Sequence, residues 1–154
     1  MPVHAERRAL PYSQQQVYTM VSDIERYPDF LPWCLGVRTR HRDGNVLLSD
    51  MVIGFRMFRE CFTSHVTLTP YSCIDVTYVD GALKSLSNRW EFVALPDHTC
   101  EVDFYVEFEF QSRLLQRMIG SLFEDAVQSM VGSFELRAAV LYGETGGGVP
   151  YTAT

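Results

Sequence analysis

No C-x-x-C pair and no His-x-x-x-His spacing occurs in this chain, so the usual ligand patterns of zinc sites and dithiol redox centres are missing. Its four cysteines, Cys34, Cys61, Cys73 and Cys100, are expected to be reduced and mostly buried. No run approaches the roughly 18 uninterrupted apolar residues of a membrane-crossing helix. The N-terminal MPVHAERRALPYS lacks the apolar stretch of a secretion signal. An intracellular, cytoplasmic protein without a membrane span is therefore expected. Positive charge is also in deficit, since 13 Lys and Arg face 19 Asp and Glu for a net charge of -6. With no overall field to hold phosphate backbones by counterion release, nucleic acid is a poor default partner. The glycines of the terminal GETGGGVPYTAT are not followed by the Lys-Ser/Thr pair of a phosphate loop, and residues 144–154 read as a disordered tail. Residues 1–143 then form a single domain, with no internal repeat.

What is present is apolar and aromatic. Hydrophobic residues make up 47% of the chain and aromatics 13%, enough to line something larger than an ordinary core. A domain of this length buries roughly 70% of its unfolded surface without disulfide or metal staples. Residues 27–34, YPDFLPWC, carry two prolines and three aromatics with one charge. Pro28 and Pro32 fix the backbone around Phe30, Leu31 and Trp33 without regular hydrogen bonding. Such a stiff apolar flap suits the roof of a cavity, a membrane surface, or a plain plug closing a sheet. Basic residues cluster locally, as Arg38, Arg40, His41 and Arg42, and as Arg56 and Arg59 beside Phe55, Met57 and Phe58. A solvated hairpin is the simplest reading of each.

Ser13 and Gln16 form a capping-box pattern that starts a helix, with Val17, Met20 and Val21 as its apolar side. Asp23 is placed to cap a second short turn, which Pro28 must stop. From there to residue 110 the period is two. Residues 46–55, 60–69, 73–79, 85–94 and 101–110 read as strands, separated by Asp43-Gly44-Asn45, Pro70-Tyr71-Ser72, Asp80-Gly81 and Pro96-Asp97-His98. In EVDFYVEFEF, Val102, Phe104, Val106, Phe108 and Phe110 share one face. Ser112 then caps a long helix whose apolar residues recur at three and four until Gly143 ends it. Gly120 and Gly132 inside that helix each cost about 1 kcal/mol relative to alanine, for which close helix–sheet approach is the plain explanation and room for a ligand the sharper one. The order of elements predicts an α+β architecture: a curved antiparallel sheet wrapped around a long C-terminal helix, with two short helices after the first strand.

The stretches YPDFLPWC, Gly54-Phe55 with Arg59-Glu60-Cys61-Phe62-Thr63-Ser64, the Asp80-Gly81 turn with Leu86 and Trp90-Glu91-Phe92, Cys100-Glu101-Val102-Asp103-Phe104 and FEFQSRLL together resemble the coenzyme Q-binding, START-like family of the polyketide cyclase/dehydrase superfamily. The likeness runs from about residue 3 to residue 142. It implies a helix-grip (START/Bet v 1-like) fold and a non-enzymatic protein holding a polyisoprenoid quinone in a cavity between sheet and long helix, ubiquinone as bound ligand with no cofactor required, in support of quinone synthesis or respiration. Peripheral contact with the inner membrane fits that role. A related branch is a bacterial ribosome-associated toxin that inhibits translation, and aromatase/cyclases share the superfamily, so both remain alternatives.

Quinone carbonyls only accept hydrogen bonds, so a quinone site needs donors in an apolar wall. If Leu86, Trp90 and Phe92 face inward, Asn88 shares their face and Trp90 adds its indole N–H. On the strand before, Glu60 and Ser64 fall beside Phe62, Val66 and Leu68, and a carboxylate there needs a partner or a place at the rim. Phe104, Phe108, Phe123, Val127 and Met130 would line a tunnel for the tail, although residues so spaced are also ordinary core. Phe30, Trp33, Phe55 and Tyr78 complete the expected ligand wall. Arg56, Met57, Phe58 and Arg59 are the expected membrane contact. For an aromatase, Glu60, Tyr78 and Tyr105 are the available acids and bases. Cys34 has no histidine at a spacing that implies a nucleophilic pair, and no catalytic residue is expected.

Overall fold

A computed structural model of the chain describes residues 3–55 and 58–143, with the backbone alone described at residues 55, 58, 119 and 121–124. Arg56, Met57 and the terminal stretch 144–154 lie outside the described residues. Strand β1 (Val3–Leu10) is followed by α1 (Gln14–Ser22) and a 3-10 helix (Ile24–Asp29). Six strands then run in succession: β2 (Cys34–Asp43), β3 (Val46–Phe55), β4 (Phe58–Thr69), β5 (Cys73–Gly81), β6 (Leu83–Leu95) and β7 (Thr99–Phe110). Helix α2 (Arg113–Tyr142) closes the domain. The seven strands form one antiparallel sheet in the order β1-β7-β6-β5-β4-β3-β2, so consecutive strands pair and the first strand returns beside the last.

Local chemistry explains the boundaries. The capping box is present: Gln16 N donates to Ser13 Oγ at 3.1 Å, and Ser13 N donates to Gln16 Oε1 at 3.0 Å. Ser112 Oγ likewise accepts from Leu115 N at 3.1 Å, and α2 runs 30 residues before Gly143, at φ 86°, ends it. Asp23, by contrast, makes no side-chain cap, and Pro28 lies inside the 3-10 helix rather than stopping it. A 3-10 turn is short enough to accommodate the missing N–H of proline. Strand β2 carries irregularities between Cys34 and Gly36 and between Thr39 and His41, which break its alternation and hide it from a period-two search.

The YPDFLPWC segment is more ordered than its prolines imply. Leu31 N donates to Tyr27 O at 2.8 Å, Cys34 N donates to Leu31 O at 3.0 Å, and Gly54 N ties the segment to β3 through Trp33 O at 2.9 Å. Leu31 is 1% exposed, so it plugs the corner between α1 and the sheet while Phe30 and Trp33 stay half-buried.

The β5–β6 turn depends on one glycine. Gly81 sits at φ +128°, and a Cβ there would fall 2.6 Å from Cys61 O and from Phe62 Cα. Both conformation and space exclude a side chain. Gly81→Ala should lower stability by about 1–3 kcal/mol, read as a shifted urea midpoint with an unchanged denaturant slope.

Candidate functional site

Inward-facing side chains follow the period of two, and they divide by burial into two regions. The first is a closed aromatic cluster. Trp90 meets Phe104 edge-on at 4.6 Å between ring centroids and Phe134 of α2 at 5.1 Å. Phe134 in turn meets Phe30 at 5.2 Å and Tyr27 at 5.3 Å. Trp90, Phe92, Phe104, Phe134 and Ala138 are all buried, and the Arg137 guanidinium lies 5.1 Å over the Phe30 ring. Tyr142 Oη donates to Gln16 O at 3.0 Å. The C-terminal half of α2 is therefore clamped to the sheet and to α1.

The second region is open. Val37, Met51, Ile53, Leu86, Val106 and Phe108 belong to the inner face, and Met130 and Val131 belong to α2, yet all are only partly buried. Gly120 lies seven residues, two helical turns, before Val127 and so on the same stripe of α2. A Cβ at Gly120 would meet nothing within 4 Å, and the same holds at Gly132. The close helix–sheet approach expected at these glycines is absent. Among the described residues, the inner-face side chains Met51, Leu86 and Val106 and Met130 of α2 stay half-buried.

The structure thus redistributes the residues expected to line a ligand wall. Phe62 and Val127 are buried, and Met130 and Phe108 are half-buried, Phe108 against Phe110 at 5.3 Å. Phe30, Trp90 and Phe104 belong to the clamp rather than to an open wall. Phe55 ends β3 and Phe58 starts β4 in register with each other, while Arg59 is exposed. The side chains of Phe55, Phe58 and Phe123 lie outside the described residues. Trp33 is half-buried at the start of β2.

The expected donors need correction. Trp90 Nε1 donates to Asn88 Oδ1 at 3.1 Å, and Asn88 Nδ2 donates to Tyr105 O at 2.9 Å. The single indole N–H is used inside the protein, because a buried N–H without a partner would cost about 1–3 kcal/mol. Tyr78 Oη likewise donates its proton to Gly81 O at 2.7 Å. Glu60 is half-buried opposite Ile53, next to the β3–β4 connection, at the rim of the sheet. Burial pushes the Cys34, Cys73 and Cys100 thiols up to about 11, so none of them is an activated nucleophile. Among the described residues no cluster of three His, Cys, Asp or Glu side chains is placed to hold a metal.

Two polar features escaped the sequence reading. Ser49 is 3% exposed, and its Oγ is buried without a partner on the inner face of β3. On β1, His4, Glu6 and Arg8 share the inner face. His4 Nε2 and Glu6 Oε1 are 2.8 Å apart, Arg8 pairs with Glu6, and Arg8 Nη1 reaches Glu135 of α2 at 2.9 Å. Period-two reading of VHAERRAL assigns these three to one face but gives no reason to turn that face inward. A separate groove of about 500 Å³ crosses the outer face of the sheet beside Arg7, Arg89, Glu91, Asp103 and Tyr105. Its charges pair with one another, Arg7 with Asp103 at 2.7 Å and Arg89 with Glu91 at 3.4 Å, and it lies on the opposite side from the inner face. It is a solvated charge ladder.

A curved antiparallel sheet packed against one long C-terminal helix defines the helix-grip, START-like class of fold. The chain belongs to the polyketide cyclase / dehydrase and lipid transport family, which matches residues 10–135. It is 31% identical over 142 residues, 92% of this chain and 90% of the relative, to the ribosome association toxin RatA of Escherichia coli. It is also 31% identical over 145 residues, 91% of this chain and 59% of the relative, to the mitochondrial coenzyme Q-binding protein COQ10 homolog B of Xenopus laevis. A START superfamily protein from Mycobacterium smegmatis shares the fold at TM-score 0.77 and 16% identity, over 90% of this chain and 98% of that one.

The β1–α2 seam is open to test through Glu6. Burial alone would raise its carboxyl, but hydrogen bonds and charge from His4 and Arg8 outweigh burial and hold it below the ordinary 4.5. A carboxyl depressed on folding contributes stability above its unfolded value, and that contribution is lost as pH falls through the folded one. Glu6→Gln should lower Tm by about 2–4 °C near neutral pH, with the gap to the unaltered protein closing below pH 4.5. A gap independent of pH would assign Glu6 to packing alone.

Proposed function

We propose that this chain binds a polyisoprenoid quinone, ubiquinone foremost, in a cavity between the sheet and the first half of α2. It acts as a carrier or chaperone for quinone synthesis or respiratory electron transfer, not as an enzyme. The observation that carries this reading is the set of half-buried apolar side chains Met51, Leu86, Val106 and Met130 between the inner face of the sheet and α2, together with the open surroundings of a Cβ at Gly120. Apolar walls with few polar groups suit an isoprenoid tail, whose burial is worth about 0.8 kcal/mol per CH2. Likeness to the coenzyme Q-binding relative supports the choice of ligand, and thiols raised by burial support binding without covalent chemistry.

No helix among the described residues is long and apolar enough to cross a membrane. A cytoplasmic protein visiting the inner membrane would therefore dock peripherally. Arg56, Met57, Phe58 and Arg59 lie at or beside the β3–β4 connection, where the pairing of Cys34 with Ile53 also brings the 44%-exposed Leu35. Basic and apolar side chains together suit an anionic lipid surface. Reversing the charge of Arg56 and Arg59 should abolish binding to anionic liposomes, and unchanged binding would remove this contact.

The quinone is sought by extracting protein purified from its native host and analysing the extract by mass spectrometry. Gly120→Trp is the matched variant, because its indole enters open space and the substitution removes a helix-interior glycine. Stoichiometric quinone in the unaltered protein and little in the variant, at undiminished Tm, is expected. Absence from both would refute the proposal.

One observation favours a second reading. Arg38, Arg40, His41 and Arg42 are exposed on edge strand β2, where Arg38 and Arg40 share the single carboxylate Asp50 at 3.5 Å each. Such a local basic edge can meet RNA phosphates despite the acidic whole, in keeping with likeness to the ribosome association toxin. Co-sedimentation with ribosomal subunits at moderate salt, lost when the three arginines become glutamate, would establish that role.

A further inference from the structure

The inner face of the sheet is not uniformly apolar. Strand registers place Thr39 of β2 opposite Ser49 of β3, Ser49 opposite Ser64 of β4, and Ser64 opposite Tyr78 of β5. Four hydroxyl side chains therefore stand in one line across four adjacent strands. Ser49, Ser64 and Tyr78 share the face of Leu47, Val66, Ile74 and Val76, because each lies an even number of residues from the inward positions of its own strand, and Thr39 shares it by standing in register with Ser49. The row on one side is Leu47, Val66 and Val76. The row on the other side is Val37, Met51 and Phe62. A single polar line thus crosses an apolar floor.

The members of the line differ in what they still offer. Tyr78 Oη has given its proton to Gly81 O and retains only acceptor capacity. Ser49 and Ser64 are 3% and 5% exposed, Thr39 is half-buried, and Ser49 Oγ is buried without a partner. A buried hydroxyl left unpaired costs about 1–3 kcal/mol, so folding alone gives no reason to keep one at this position. A ligand with acceptor oxygens gives it a partner. Directly opposed residues on antiparallel strands stand about 5 Å apart at Cβ, close to the separation of the two carbonyl oxygens across a benzoquinone ring.

We propose that Thr39, Ser49 and Ser64 form the head-group end of the ligand site, donating hydrogen bonds to the carbonyl and alkoxy oxygens of a quinone ring. The proposal rests on the quinone reading above and moves the polar recognition away from Asn88 and Trp90, whose groups are bonded to one another. From this line the tail runs over Met51, Phe62, Leu86 and Phe108, toward the half-buried end of the floor.

The test compares two ligands against three variants by isothermal titration: a short-chain ubiquinone, and a ring-free isoprenoid hydrocarbon of matched length. Each lost hydrogen bond is worth about 3- to 10-fold in affinity. Ser49→Ala with Ser64→Ala should weaken quinone binding by about 10- to 100-fold while leaving the hydrocarbon unaffected. Tyr78→Phe should leave the oxidised quinone unaffected, since the tyrosine proton is already committed. Ser49→Ala alone should not lower Tm, because its hydroxyl has no partner to lose, and this shows the variant is folded. Equal quinone affinity in the double variant and the unaltered protein overturns the head-group site but leaves the quinone reading standing. Failure of the unaltered protein to bind the quinone at all overturns both.

Discussion

The clamp of Phe134 onto Trp90 decides the shape of this molecule. Helix α2 runs 30 residues, far beyond the globular mean of about 11–12, and among the described residues its aromatic contacts lie in its C-terminal half. Phe134 inserts among Trp90, Phe30 and Tyr27, Ala138 is fully buried one turn later, and Tyr142 is tied to α1. With that end fixed, the direction of the helix is set. Toward the other end, a Cβ at Gly120 would meet nothing within 4 Å.

Polar groups inside this interior follow one rule, that each must be matched or must be worth its cost. Asn88 satisfies the Trp90 indole and is itself anchored to Tyr105 O, so that pair locks two neighbouring strands around the clamp. On β1, Arg8 joins Glu6 to Glu135 and fastens the edge strand to α2 with charges of both signs. Arg8 is roughly one-third exposed, so much of that Coulomb energy is screened, and the gain lies in orientation more than in stability. Ser49 and Ser85 depart from the rule, each with a buried Oγ that has no partner among the described residues. The Ser49 hydroxyl stands on the inner face of β3, opposite buried Ser64.

The fold was legible because local signals agree with global ones. The Ser13 box, the Ser112 cap, the terminating Gly143 and the alternation of EVDFYVEFEF each point to the elements that form. Edge strand β2 was harder, since two irregularities interrupt its period and its RTRHR run reads as a solvated loop. Asp23 and Pro28 misled in the opposite direction, because a six-residue 3-10 helix forms here without the cap and with the proline inside it. In the site, period-two reading assigns Phe104 and Phe108 to one face, and both do belong to the inner face. It cannot say that Phe104 is clamped and Phe108 is not, since that depends on where the helix crosses.

That crossing point separates core from site in a fold of this kind. Trp90, Phe104 and Phe108 are chemically alike and close together on adjacent strands, Trp90 in register with Phe104. Any of them would bind an isoprenoid if exposed to it. Helix α2 covers Trp90 with Phe134, and Trp90 in turn packs edge-on against Phe104, whereas Phe108 packs against Phe110 and stays half-buried. The same logic applies to the polar groups. Asn88, beside the clamp, is closed into a network, whereas Ser49, across the floor, is not. Recognition capacity therefore lies in groups that the fold has not already used, and those are found by accounting for partners rather than by residue type. A shift of the helix by one turn would exchange the two sets without changing the hydrophobic pattern of the strands.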